Sequence, residues 1–351
     1  MTTNETRRGV HLLGSVPIGD AEEVFRGVSA AVGPHLQRLP DGEQVTKWIG
    51  SQIDVFSDSP FLQAFEPEEG HYGTQAVRRM FQVRDGVDPS DISFPELGYA
   101  HVAKESFETF KRLKAEGAVP EHVRFQVSLP TPLAPVVAFC EPSTGEVFPA
   151  YEQAMLREVD AIAAAIPHDQ LAIQWDVAIE MGILEDFFPV WFGNDEDTIV
   201  ALLARAAARV PADVALGFHL CYGDADHRHW KEPVDTSKLA SLATKLAQAV
   251  DRPISWLHLP VPRGRTDSAY FAPLAEMRLR PETQLYLGLV HRTDGLDGAR
   301  ARIEAATSVV QDFGVATECG LGRRPPETIP GLLQLHAQVA EGAAEPVGAG
   351  S

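Results

Sequence analysis

The sequence predicts an α/β fold, a (β/α)8 barrel of the TIM type, on three observations. Short apolar runs alternate with longer amphipathic stretches about eight times. At 351 residues the chain has room for one such barrel. Polar, chemistry-bearing residues recur where the apolar runs end, and the carboxyl ends of the strands carry the active site in barrel enzymes. A doubly wound open sheet fits the alternation equally well; the third observation favours the barrel.

Taken in order, the predicted strands lie at 10–15, 35–39, 123–129, 171–176, 214–220, 254–259, 284–290 and 314–318. They are short, rich in Val, Ile, Leu and Phe, and mostly bounded by Pro, Gly or Asp, as parallel strands covered on both faces should be. Helices are expected at 20–32, 103–115, 151–165, 195–209, 236–250, 296–312 and 328–339, where apolar residues recur at spacings of three and four. Asp195, the run Asp235-Thr236-Ser237, and Pro326 with Glu327 are start signals for three of them. Residues 44–95, after the second strand, are too long for an ordinary connection. They include Trp48, Phe56, Phe61, Phe65, Tyr72 and Phe81, too many aromatics for a solvated linker. The expectation is one domain over 1–340 with a structured flap at 44–95, and a disordered tail at 341–351.

Composition narrows the function. Asp and Glu outnumber Lys and Arg by 49 to 30, a formal charge of −19, which argues against nucleic acid as a partner. No apolar run approaches the roughly 20 residues that span a bilayer, and the first residues lack the apolar segment of a secretory signal. Three cysteines make no disulfide framework, so a reduced, cytoplasmic enzyme is expected.

The strand ends supply the candidate site. Asp41-Gly42-Glu43 follows the second strand, Asp176 ends the fourth, and His219-Leu220-Cys221 ends the fifth. His258 lies in the sixth, His291 follows the seventh and Cys319 follows the eighth. Imidazole and thiolate are both zinc ligands, and residues two apart can turn toward one metal as a strand gives way to loop. Cys319 adds a second thiolate, whereas Cys140, inside an apolar run, reads as packing. His291, with Asp294 to orient it, is the first acid/base candidate. Arg323 and Arg324 at the last helix start suit a carboxylate or phosphate, or a surface ion pair. The loop 224–229 reads as a second metal site or as solvated, and the aromatic run 187–192 as a ligand wall or as packing against the flap.

These motifs resemble the catalytic barrel of the cobalamin-independent methionine synthases, in the superfamily shared with uroporphyrinogen decarboxylase. Gly217-Phe218-His219-Leu220-Cys221-Tyr222 and Glu318-Cys319-Gly320-Leu321 match the family's zinc motifs. Gly14-Ser15-Val16-Pro17 resembles its Gly-Ser-Phe-Pro, and Asp41-Gly42-Glu43 its His-Gly-Glu. The likeness covers most of the chain in order and strand position; the flap and 187–192 have no counterpart. The family's zinc-binding Glu is missing, and His258 falls nearest its place. The resemblance therefore implies zinc on His219, Cys221, His258 and Cys319. It also implies an amino group held by Glu43 and Asp176, although Asp176 lacks the Glu and Pro of the family's Asp-Glu-Pro.

The expected function is transfer of a methyl or alkyl group to a zinc-bound thiol, with a small-molecule donor and a thiol co-substrate. Ser15, Glu43, Asp176 and Arg323 would bind substrate, and His291 and Asp176 would move protons. Two other readings remain: a metal-dependent hydrolase or C–C/C–O lyase on the same barrel, and a binding barrel with a vestigial metal site.

Overall fold

In a computed structural model, which describes residues 8–66, 79–224 and 228–342, the chain folds as the predicted barrel. Helix α1 (Ala21–Val32) precedes β1 (Arg38–Pro40); the long insertion then forms α2 (Gln52–Ser57) and the strands β2 (Leu62–Phe65) and β3 (Met80–Val83). The barrel resumes with α3 (Tyr99–Ala115), β4 (Arg124–Pro130), α4 (Leu133–Phe139), α5 (Thr144–Ala165) and β5 (Leu171–Val177). Next come α6 (Ile179–Leu184), α7 (Glu196–Arg209), β6 (Ala215–Leu220), α8 (Ser237–Ala249), β7 (Trp256–Pro260) and α9 (Ser268–Phe271). The chain closes with β8 (Gln284–Gly288), α10 (Gly295–Thr307), β9 (Gly314–Val315) and α11 (Ile329–Glu341). Tail residues 343–351 lie outside the described residues.

Seven strands form one parallel sheet in the order β1-β4-β5-β6-β7-β8-β9. The first predicted strand supplies the missing stave through isolated bridges. Val10 pairs in parallel with both Leu36 and Val315, and Ser15 pairs with Gly42. Val10 N–H donates to His35 O at 2.9 Å and His11 N–H to Val315 O at 3.0 Å, which joins the two edges of the sheet. Every residue of β5 is buried, as a strand between barrel interior and helix layer must be.

Local chemistry starts the helices where expected. Asp20 caps α1 by accepting from Glu23 N–H while the Glu23 carboxylate accepts from Asp20 N–H, a reciprocal pair that satisfies two orphan donors. Asp195 caps α7 in the same position. The described part of the insertion packs through its aromatics. Phe56 is fully buried, with Phe81, Phe94, Phe139 and Tyr151 rings at 5.3–6.1 Å. Phe139 and Tyr151 belong to α4 and α5, so the insertion is anchored to the helix layer; Tyr72 lies outside the described residues.

Inside the barrel, the Trp256 indole lies across the position where a side chain at 217 would sit. A Cβ on Gly217 would stand 2.0 Å from Trp256 Cε2. The Arg38 guanidinium caps this indole from 4.0 Å. These groups fill the interior on the side of the strand starts and leave the carboxyl ends for the polar residues.

Candidate active site

Parallel register sets the centre of the site. Asp176 on β5 pairs with His219 on β6, which pairs with His258 on β7. Cys221 N–H donates to Val177 O at 3.1 Å, which carries the extended conformation past β6 and keeps His219 and Cys221 on one face. Cys319 arrives from the turn after β9. That turn lies against Gly288, where a Cβ would come within 2.8 Å of Glu318 Cα, and it is tied to the barrel seam by Leu321 N–H donating to Ser15 O at 2.8 Å.

The turn brings Cys319 Sγ to 3.4 Å from Cys221 Sγ, and the donor atoms of His219, Cys221 and Cys319 all lie within 4.8 Å of one another. Two sulfurs bound at about 2.3 Å to one tetrahedral zinc stand about 3.8 Å apart, so this pair fits such an ion with small adjustment. The hydrogen bond with Cys221, together with burial, pushes the Cys319 thiol well above its ordinary range, so metal uptake has to displace a proton here.

The structure does not bring His258 into this group. Its Nε2 lies 3.0 Å from Thr317 O and its Nδ1 lies 2.8 Å from His219 Nδ1, so both nitrogens are engaged elsewhere. Among the described residues the grouped donors are His219, Cys221 and Cys319, and His258, the expected fourth ligand, stands behind His219.

A buried carboxylate pair flanks the donors. Glu43 sits at φ 56°, a left-handed conformation unusual for a residue with a side chain. The Ser15 hydroxyl donates to Glu43 Oε2 at 2.6 Å. The Glu43 carboxylate occupies the space that a side chain at 14 would take, since a Cβ on Gly14 would stand 1.9 Å from Oε1. The Gly14-Ser15 motif is thereby explained: glycine for room, serine for a donor. Gln174 Nε2 donates to Asp176 Oδ1 at 2.8 Å and to Leu13 O at 2.8 Å. Burial, with the nearby Asp41 charge, pushes the Glu43 carboxyl up to about 8 against the Ser15 hydrogen bond. Burial and the Glu43 charge likewise push Asp176 well up. Burial raises both acids, so a bound cation between them would favour their ionised forms.

Sequence reasoning missed the array beside them. Glu318 Oε1 lies 2.7 Å from His229 Nε2, and Glu318 Oε2 lies 4.0 Å from His291 Nδ1. Burial pulls the His229 imidazole down, but Glu318 and Glu232 outweigh it and hold it at about 9. His291 donates from Nε2 to Val261 O at 2.9 Å, and burial pulls it below the ordinary imidazole range. The expected orienting role of Asp294 is therefore corrected: its carboxylate is the bidentate partner of Arg302, at 2.6 and 2.9 Å. Glu318 lies inside the motif Glu318-Cys319-Gly320-Leu321, yet nothing in that motif marks a contact spanning the distance to His229. His11 was also missed; it is buried, with Nε2 2.7 Å from Gln174 Oε1. The alternation of His11, Leu13 and Ser15 on one face was the available signal.

The remaining candidates lie around this centre. Arg323 is half exposed, and its Nη1 lies 3.9 Å from Asp224. In the run 187–192, Phe187 and Phe188 pack on Trp230, and Trp191 packs on Phe148 of α5. Residues 225–227 of the neighbouring loop lie outside the described residues.

Fold and geometry together define a TIM-type barrel with a Cys₂His donor cluster and a carboxylate pair at its carboxyl-end mouth. No family model and no curated relative matches the sequence. Among solved structures, the chain is similar to a B12-independent methionine synthase from Shewanella sp. W3-18-1 in complex with selenomethionine. That match has a TM-score of 0.63 at 14% identity over 96% of this chain and 97% of that one. It is also similar to a methyltransferase from Methanosarcina mazei, with a TM-score of 0.56 at 12% identity over 97% and 94% of the two chains. At these identities the likeness establishes the shared barrel. Among the described residues no helix is long and apolar enough to cross a membrane.

Proposed function

We propose that this protein is a cytoplasmic, zinc-dependent transferase that moves a methyl or alkyl group onto the sulfur of a small thiol. The observation that carries the proposal is the His219, Cys221 and Cys319 donor cluster beside the Glu43–Asp176 pair. The names of the solved structures above agree with this reaction class.

His219, Cys221 and Cys319 would hold the zinc, which when bound keeps a thiol ionised at neutral pH. Glu43 and Asp176 receive an ammonium group on the acceptor, and Ser15 holds the Glu43 carboxylate in place. Gln174, two residues earlier on β5, donates to Asp176 and holds it in place. The His291–Glu318–His229 array lies at the same mouth, where it can deliver the proton that a leaving group requires.

The test uses protein purified without a polyhistidine tag under reducing conditions. One zinc per chain is expected, lost in Cys221→Ser and Cys319→Ser. In the cobalt-substituted protein, cysteine and longer aminothiols should shift the sulfur-to-metal absorption bands. Glu43→Gln should weaken that response at least about tenfold with metal content unchanged, since it removes one of two charges facing the amine. A wild type that takes up no zinc when it is supplied would overturn the proposal; zinc without any thiol response would turn it toward the hydrolase or lyase reading.

A further inference from the structure

We infer that His258 is a positioning residue: its Nδ1 accepts a hydrogen bond from His219 Nδ1–H, which turns the bare Nε2 of His219 toward Cys221 and Cys319. The inference rests on the metal reading above and deepens it. The Thr317 carbonyl can only accept, so the 3.0 Å contact places a hydrogen on His258 Nε2. A neutral His258 then has a lone pair at Nδ1. The 2.8 Å Nδ1–Nδ1 contact requires one hydrogen between the rings, and His219 has to supply it. With Nδ1 so committed, Nε2 is the nitrogen that His219 offers the two sulfurs. Both rings are buried, at 3% and 0% exposure, on strands in direct register, so each is closely packed beside the other. The carbonyl that orients His258 lies two residues before Cys319, so one chain segment supplies a sulfur donor and sets the orientation of the imidazole donor. A hydrogen-bonded second group of this kind fixes the tautomer and raises the basicity of a ligating imidazole. With His258 so used, the described residues offer three donors at this point, which suits a catalytic zinc site with a fourth position for the substrate.

Two measurements decide it. Nitrogen-15 NMR of the metal-free protein, with His219 and His258 assigned through single substitutions, should show His219 protonated at Nδ1 and His258 at Nε2. A proton on His219 Nε2 would overturn the inference. Zinc-edge X-ray absorption of the loaded protein should count one imidazole and two sulfurs, and two imidazoles would also overturn it. His258→Gln keeps an acceptor for His219 and a donor for Thr317, so it should retain zinc affinity within a few-fold. His258→Ala should lose about 10–100-fold, the usual effect of removing such a partner, with the same one-imidazole count. Equal loss in both variants would place His258 among the ligands. Complete absence of zinc uptake would be a failure of the metal reading instead, and the tautomers would still decide the hydrogen bond.

Discussion

At the scale of single residues, the site is built from groups held away from their solution behaviour. Glu43 shows this most directly. Its folded-state pKa is raised from 4.5 to about 8, so between these values the folded protein keeps a proton that the unfolded chain has lost. The contribution to stability is therefore full below about 4.5 and falls as pH rises toward 8, at up to about 1.4 kcal/mol per pH unit for one proton. The raised Asp176 acts in the same direction. Urea unfolding of the zinc-free, reduced protein from pH 5 to 8 should show Glu43→Gln gaining on wild type as pH rises. A constant difference between the two across that window would show that Glu43 ionises normally. The sequence exposed Glu43 because a Gly-Glu pair follows a strand end beside a matching Gly-Ser. It could not expose the partners of His258 or Glu318, because which nitrogen faces which oxygen depends on packing among strands that are distant in sequence.

At the scale of elements, each strand brings functional residues to the mouth because of what fills the interior below them. Gly217 and Trp256 are register partners on β6 and β7, and the indole occupies the glycine's missing side-chain volume. Gly217→Ala should cost about 3 kcal/mol through overpacking. Trp256→Leu in the same chain should recover part of that loss, which thermal melts of the single and double variants would measure. A Gly217→Ala protein as stable as wild type would mean that the interior repacks freely, and that His219 two residues along owes nothing to this contact. The strands and helices were legible because buried parallel strands leave unbroken apolar runs, and because Asp20 and Asp195 cap where the pattern begins. The glycine at 217 was not, since its need arises only from an indole on the next strand. Asp294 misled for a related reason: it lies three residues after His291, but α10 turns it toward Arg302.

At the scale of the molecule, the site straddles the closure of the barrel. The three metal-donor residues belong to the stretch from β6 through β9, an unbroken run of paired strands. Ser15 and Glu43 belong to the N-terminal stretch, which meets β9 through His11 N–H to Val315 O and meets the turn after β9 through Leu321 N–H to Ser15 O. Metal binding and amine recognition should therefore be separable by damage at the seam. Val10→Pro removes the donor to His35 O, and a proline that deletes a buried backbone bond costs on the order of 3 kcal/mol. At a temperature where circular dichroism shows the variant folded, it should still bind one zinc. Saturating zinc should still raise its melting temperature, since a ligand at about 1,000 times its Kd adds about 4 kcal/mol. Its response to aminothiols should fall, because the deleted bond joins the stave that carries Ser15 to the chain that leads to Glu43, so these two shift relative to one another while the sulfurs keep their places on the far stretch. Loss of zinc together with the aminothiol response in a folded variant would show instead that the donor cluster depends on the closed ring, making the metal centre a property of the whole barrel.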